Sequence, residues 1–254
     1  MLKKFSQSVY NALTFFLRSR MKHIRRSLVK ETFHDTALLK AIAMAYLIKS
    51  KTKASILHKY SINLIHDMTG MHANTIKKRL RTLKEHGLIF VEKNSLVFRS
   101  TVSKHKDRNM NIGNMDFKNV KTVEKSLQAL QVILIQQQKD FCKHAIHNAH
   151  HAHNPKKVKE AQKVCRRYGY GNKYCEKGLS YKTIAQKIGK SVSTIVKIIK
   201  NGVKKRYFKK ITHFIWTQMK GVHFRDIEGY TFTTLNYGFQ VKANTYRVGC
   251  KWRT

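Results

Sequence analysis

Apolar positions recur at helical spacing through most of the chain and alternate at strand spacing in only a few places. TALLKAIAMAYLIKS, residues 36–50, is apolar almost all round, as suits a helix at the centre of a small domain. Ser61 offers an N-cap to a helix carrying Ile62, Leu64, Ile65 and Met68, and Gly70 supplies the left-handed conformation that ends it. In HANTIKKRLRTLKEHG, Ile76, Leu80 and Leu83 repeat at spacings of four and three and turn inward, leaving Asn74, Thr75, Lys77, Lys78 and Arg81 facing out or at the edges. Gly87 stops that helix, and LIFVEKNSLVFRST alternates as two short strands joined across residues 92–95.

Residues 118–149 hold Val120, Val123, Leu127, Leu130, Leu134, Phe141 and Ile146 at mostly helical spacing, which predicts one long helix. At about 1.5 Å per residue it would extend roughly 45 Å unless it folds back and packs. PKKVKEAQKVCRRYGYG predicts another helix, with Val158, Ala161, Val164 and Cys165 inward and Lys156, Lys163, Arg166 and Arg167 outward. GLSYKTIAQKIGKSVSTIVKIIKNG then pairs two helices about Gly189. Ala185 allows a close crossing, Ile184, Ile188, Ile195 and Ile198 close the core, and Ser180 and Ser191 are the caps. The second helix exposes Ser193, Thr194, Lys197 and Lys200.

Residues 204–219 suit a basic amphipathic helix or a strand, and helix is the expectation. Leu235, Tyr237, Phe239 and Val241, then Tyr246, Val248, Cys250 and Trp252, predict a hairpin turning near Ala243 and Asn244. Its alternating aromatic face reads as core, with base stacking between Lys242, Arg247, Lys251 and Arg253 as the alternative. At the other end, Phe5, Val9, Leu13, Phe16 and Leu17 form an amphipathic stripe suited to docking on the body of the protein. Polar stretches at 94–114 and 150–155 mark the domain edges. The expected organisation is a basic amphipathic N-terminal helix over 1–35, domains over 36–103 and 156–203, a linker and long connecting helix over 104–155, and a basic C-terminal segment with a β-hairpin over 204–254. The fold class is mainly α with small β-hairpins.

Charge narrows the functional classes. Lys and Arg number 52 against 13 Asp and Glu, a formal net charge of +39. Self-repulsion of that size opposes compaction and makes sense beside a polyanion, of which double-stranded DNA is the leading candidate and a membrane surface the next. The longest apolar stretch, residues 37–48 with a lysine at 40, falls well short of the roughly 20 residues that span a bilayer. Cys142, Cys165, Cys175 and Cys250 form no CxxC pair, which argues against a disulfide framework or a zinc ribbon and fits a reducing, cytoplasmic compartment.

The order helix, helix, turn, helix and hairpin in residues 36–101, with TGMHANTIKKRLRTLKEHGLI at its centre, resembles bacterial winged helix-turn-helix regulators. That resemblance implies a recognition helix in the major groove, where Asn pairs with adenine and Lys or Arg with guanine, and a wing that brings Lys93 and Asn94 to the backbone or minor groove. His66 departs from the pattern, because a small residue usually stands four before the turn glycine; it must widen the helix crossing or point outward. Residues 157–202 resemble the helix-turn-helix of resolvase-type and homeodomain-like domains. This implies major-groove readout by the face of Ser191, Ser193, Thr194, Lys197 and Lys200.

Catalysis is not expected. His144, His147 and His151 share a helix face that could hold zinc, with Cys142 nearby, but a solvated helix end is the favoured reading and no metal or other cofactor is expected. His151 and His153, with Tyr168 or Tyr170 downstream, resemble the paired histidines of rolling-circle nucleases, yet their flanks are Asn and Pro rather than an apolar strand. Of the carboxylates, only Asp226 and Glu228 stand out as a close pair, which disfavours a two-metal site, and no glycine-rich phosphate loop occurs. The expectation is a non-enzymatic, sequence-specific DNA-binding protein with a bipartite site. It would act as a bacterial, phage or plasmid transcription regulator associated with the nucleoid, and could form homo-oligomers. A replication initiator and a DNA-packaging protein of a phage particle are the alternatives.

Overall fold

The computed structural model describes residues 23–101, 104, 109–111, 115–168, 178–218, 224–225, 231–232 and 237–248. The expected stripe at Phe5–Leu17 lies outside them, as do Tyr170, Cys175, Asp226, Glu228, Leu235, Cys250, Lys251, Trp252 and Arg253. The described residues are mainly helical with short paired strands. The helices are α1 (Arg26–Glu31), α2 (Thr36–Thr52), α3 (Ile62–Thr69), α4 (Ala73–Glu85), α5 (Val120–His151), α6 (Pro155–Arg167), α7 (Tyr181–Ile188) and α8 (Val192–Lys204). The strands are β1 (His23–Arg25), β2 (Ile56–Leu57), β3 (Ile89–Glu92), β4 (Ser95–Phe98), β5 (Asn109–Asn111), β6 (Phe208–Gln218), β7 (Phe224–Arg225), β8 (Thr231–Phe232) and β9 (Tyr237–Val248).

Two compact units form, and they do not follow chain order. One holds the described residues up to Ile135 together with Tyr181–Lys209; the other holds Gln136–Ser180 and Lys210–Arg247. Both predicted helix pairs, α3–α4 and α7–α8, therefore belong to the same unit. Helix α6, expected as the first helix of the domain over 156–203, belongs to the other.

The core of the first unit is built on α2 and the first half of α5. Every residue of α2 from 41 to 48 is buried, and so is every residue of α5 from 126 to 135 except Gln128. A helix buried all round is a core element, so this half of α5 is not the connector expected from its length. Two of its buried polar side chains donate hydrogen bonds, while the Gln131 Oε1 is buried with no partner among the described residues. The Gln131 amide donates to the Thr32 carbonyl (3.0 Å) and hydroxyl (2.9 Å), and the Ser126 hydroxyl donates to the Thr122 carbonyl (3.0 Å).

At its start, the Asn119 side chain accepts from the Thr122 N–H, and the Thr122 hydroxyl accepts from the Asn119 N–H, a reciprocal cap. Helices α3 and α4 pack on α2, and β2, β4 and β3, in that order, form an antiparallel sheet beside them. Strand β1 pairs antiparallel with β5, so residues 23–25 are extended where helix was expected. The cause is tertiary: buried Ile24 stands opposite buried Met110, 86 positions away.

The α7–α8 pair docks on the link between α1 and α2. The His34 N–H donates to the Ile188 carbonyl (2.9 Å), and the Lys190 ammonium donates to the Thr36 hydroxyl (2.9 Å). After α8 the chain reverses: Tyr207 N–H bonds to the Gly202 carbonyl (2.9 Å), Arg206 takes φ of 58°, and Phe208 folds over Gly202. The helix expected over 204–219 is thus strand β6 from Phe208 onward, because the chain stops at an arginine in a left-handed conformation that carries no glycine signal.

In the second unit, Cys142, Ile146 and Ala149 of α5 are buried, as are Ala161 and Cys165 of α6, and the Cys165 thiol donates to the Cys142 carbonyl at 3.6 Å. His153, at φ 46°, turns the corner between the two helices. Asn154 then caps α6 ahead of Pro155. The Gln136 carboxamide accepts from the Tyr246 N–H at 3.2 Å. Strand β9 runs unbroken through Ala243 and Asn244 and pairs with β6, so the expected hairpin turn there is not formed. Lys242–Thr245 contains neither Gly nor Pro, and the phase shift between Val241 and Tyr246 occurs within one strand.

Candidate nucleic-acid interface

Helix α4 separates its faces sharply. Ile76 and Leu83 are fully buried and Leu80 half-buried, while Asn74, Thr75, Lys77, Lys78 and Arg81 are all exposed. No described side chain engages the Lys77, Lys78 or Arg81 cations, so their donors face solvent. Arg79 is the exception on this helix. It turns inward to the Lys40 carbonyl (3.0 Å) and to Glu124 (3.1 Å), which holds α4 against α2 and α5.

The turn before α4 explains His66. Gly70 adopts φ of 67° and donates its N–H to the His66 carbonyl, while the exposed His66 ring meets the Met71 carbonyl through Nδ1 at 2.7 Å. Of the two options for that histidine, pointing outward is the one taken, and the ring braces the turn.

The hairpin joins β3 to β4 through Lys93 (φ 41°) and Asn94 (φ 61°), the pair of positive φ values a two-residue loop requires. Both side chains are exposed at its tip. Sequence periodicity missed β2, because two residues make no period. It extends the sheet so that Ile56, Val97 and Phe90 form one row across its outer face, with the Arg99 guanidinium 5.8 Å from the Phe90 ring centre.

Helix α8 buries Ile195, Ile198 and Ile199 and exposes Ser193, Lys197 and Lys200. Ser191 is its cap: the hydroxyl accepts from the Thr194 N–H (3.3 Å) and lies 2.8 Å from the Thr194 hydroxyl and 3.0 Å from that of Ser193. The three hydroxyls therefore share one bonded cluster, with Thr194 half-buried, and Lys197 and Lys200 are left as unengaged cations. At the turn, Ala185 is buried as expected and Gly189 sits at φ 72° with the His34 ring against it. Lys190 follows directly. Partial burial, reinforced by the charge of Lys40, lowers its pKa. No sequence signal could have joined Lys190 to Thr36 and Lys40, which lie 150 or more positions away.

The outward cations of α6, Lys156, Lys163, Arg166 and Arg167, are exposed, but on the second unit. Of the histidine cluster, the structure brings together His147 and His151, whose Nε2 atoms lie 3.1 Å apart. Cys142 is fully buried. His151 ends α5 and His153 stands in the following turn, so the HxH pair does not lie on a strand, and the Tyr168 ring meets Phe141 edge-on at 6.4 Å. No group of three or more metal-ligating side chains is gathered among the described residues. No helix among them is long and apolar enough to cross a membrane. Comparison with protein-family models, curated proteins and solved structures finds no match.

Proposed function

We propose that this chain is a non-enzymatic, sequence-specific double-stranded DNA-binding protein, acting as a transcription regulator, in which α4 and α8 are the two recognition helices. The observation that carries this reading is the outward face of α4: amide, hydroxyl and three unengaged cations on a helix fixed from behind by Ile76, Leu83 and Arg79. Such a face offers base-edge donors in the geometry the major groove accepts. The order α2, α3, α4, β3, β4 supports a winged helix-turn-helix, with β2 as its third strand and Lys93–Asn94 at the wing tip. Because α4 and α8 belong to one compact unit, the bipartite site has a fixed spacing rather than the variable one a flexible linker would allow.

Binding-site selection from random duplexes tests this. A two-part motif is expected, with Lys77→Ala plus Arg81→Ala relaxing one half and Lys197→Ala plus Thr194→Ala the other. Inserting half a helical turn between the halves should abolish tight binding. Equal affinity for unrelated duplexes would reject sequence specificity in favour of packaging. Protection of tandem repeats with melting of adjacent A·T-rich DNA would reassign the role to replication initiation.

A further inference from the structure

The last turn of α5 carries a feature that DNA binding does not use. His147 and His151 are one helical turn apart, both exposed, with Nε2 atoms 3.1 Å apart and ring centres separated by 4.2 Å. We propose that this pair is a two-histidine chelate for a divalent late first-row transition-metal ion, the class to which zinc and copper belong.

The separation is the argument. Two imidazole nitrogens each about 2.05 Å from one ion and 3.1 Å apart subtend about 98° at it, between the octahedral and tetrahedral angles. Neutral imidazole is the ligand this class of ion prefers. Without metal, the same 3.1 Å is a hydrogen bond in which one ring carries its proton on Nε2 and the other accepts. Binding needs that proton moved to Nδ1, so that both Nε2 lone pairs face the ion; no net proton is released from a neutral pair. Neither ring must move far and neither is buried, so the ordering cost is small. The chain's charge of +39 opposes a cation in general, but the partial negative charge at the C-terminal end of the α5 dipole favours one here. Two protein ligands leave the remaining positions to water or to a donor from outside.

The test uses the full-length chain, free of any histidine tag, titrated with Zn²⁺ or Cu²⁺ alone. One binding event per chain is expected. It should be lost in His147→Gln and in His151→Gln, retained in His153→Gln, and accompanied for Cu²⁺ by nitrogen hyperfine coupling from two imidazoles. Both variants replace exposed side chains, so circular dichroism should show the fold unchanged. Absence of binding in the unaltered chain, or binding that persists in His147→Gln and His151→Gln, would overturn the proposal and assign any uptake to the other histidines.

Discussion

Arg79 and Glu124 form an ion pair at 3.1 Å with each side chain about 15% exposed, on a helix whose neighbouring cations Lys77, Lys78 and Arg81 are solvent-facing. The pair divides the basic residues of α4 into one that holds the helix and several that are free to act. In a chain with 13 acidic residues against 52 basic ones, a carboxylate committed to one arginine is a scarce partner.

Replacing Arg79 with Met should therefore cost stability without removing an outward donor. A hydrogen bond to a charged group contributes about 1.5–3 kcal/mol, so a loss near 2 kcal/mol is expected in urea unfolding. Lys77→Ala and Arg81→Ala should stay within about 0.5 kcal/mol of the parent, as surface substitutions do. A stability loss at Lys77 equal to that at Arg79 would contradict this division.

DNA affinity should decline linearly in log–log form with salt. Each lysine that contacts a phosphate contributes about 0.9 to the slope for B-DNA. Lys93→Ala and Lys200→Ala should each lower it by about that amount. Fluorescence anisotropy at several salt concentrations reads the slope directly, and an unchanged slope would remove these residues from the interface.

Gly189 and Gly70 share the left-handed conformation but not its surroundings. Alanine at Gly70, where an added Cβ meets nothing, should cost only the backbone strain of about 1–2 kcal/mol. At Gly189 the added carbon also overlaps the His34 ring, so the loss should be larger. His34→Ala should recover part of the loss at Gly189 and none of that at Gly70, which a double-mutant cycle by thermal unfolding would measure.

Gly202→Ala reverses an ordinary expectation. Within a helix, alanine is favoured over glycine by about 1 kcal/mol. Here the new carbon would overlap the buried Phe208 ring, and overpacking costs typically about 1–3 kcal/mol. A net destabilisation is expected in chemical unfolding; a more stable variant would show that Phe208 does not close over α8.

Tyr46 makes stability fall at alkaline pH. Burial raises its phenol pKa above the ordinary 10.0, outweighing the bond from its hydroxyl to Thr101 Oγ1 (2.7 Å) and the positive charge of Arg25, both of which lower it. As pH rises through the ordinary value the unfolded chain loses the proton first, so stability is full below that pH and declines above it. Burial at Tyr207 acts in the same direction. Tyr46→Phe gives up a hydrogen bond of about 1 kcal/mol at neutral pH but escapes this penalty. Its deficit relative to the parent should therefore shrink above pH 10, measurable by urea unfolding at neutral and alkaline pH.

The amphipathic period of 73–85, the isoleucines of 184–198, the caps Ser61 and Ser191, and the turn glycines are local facts, so those elements, the outward residues of α4 and, save half-buried Thr194, those of α8 are legible in the chain alone. The excess of 39 positive charges is likewise a sum over residues that no packing alters. Tertiary structure decided what each apolar face packs against. Periodicity shows that a face is buried but not by what. Hence the first half of α5 is core rather than connector, α6 belongs to a different unit from α7–α8, and Gly189 meets His34. Arg79 and Lys190 read in sequence like any other basic residue. Their partners, Glu124 and Thr36, lie 45 and 154 positions away, a separation that only chain closure can bridge.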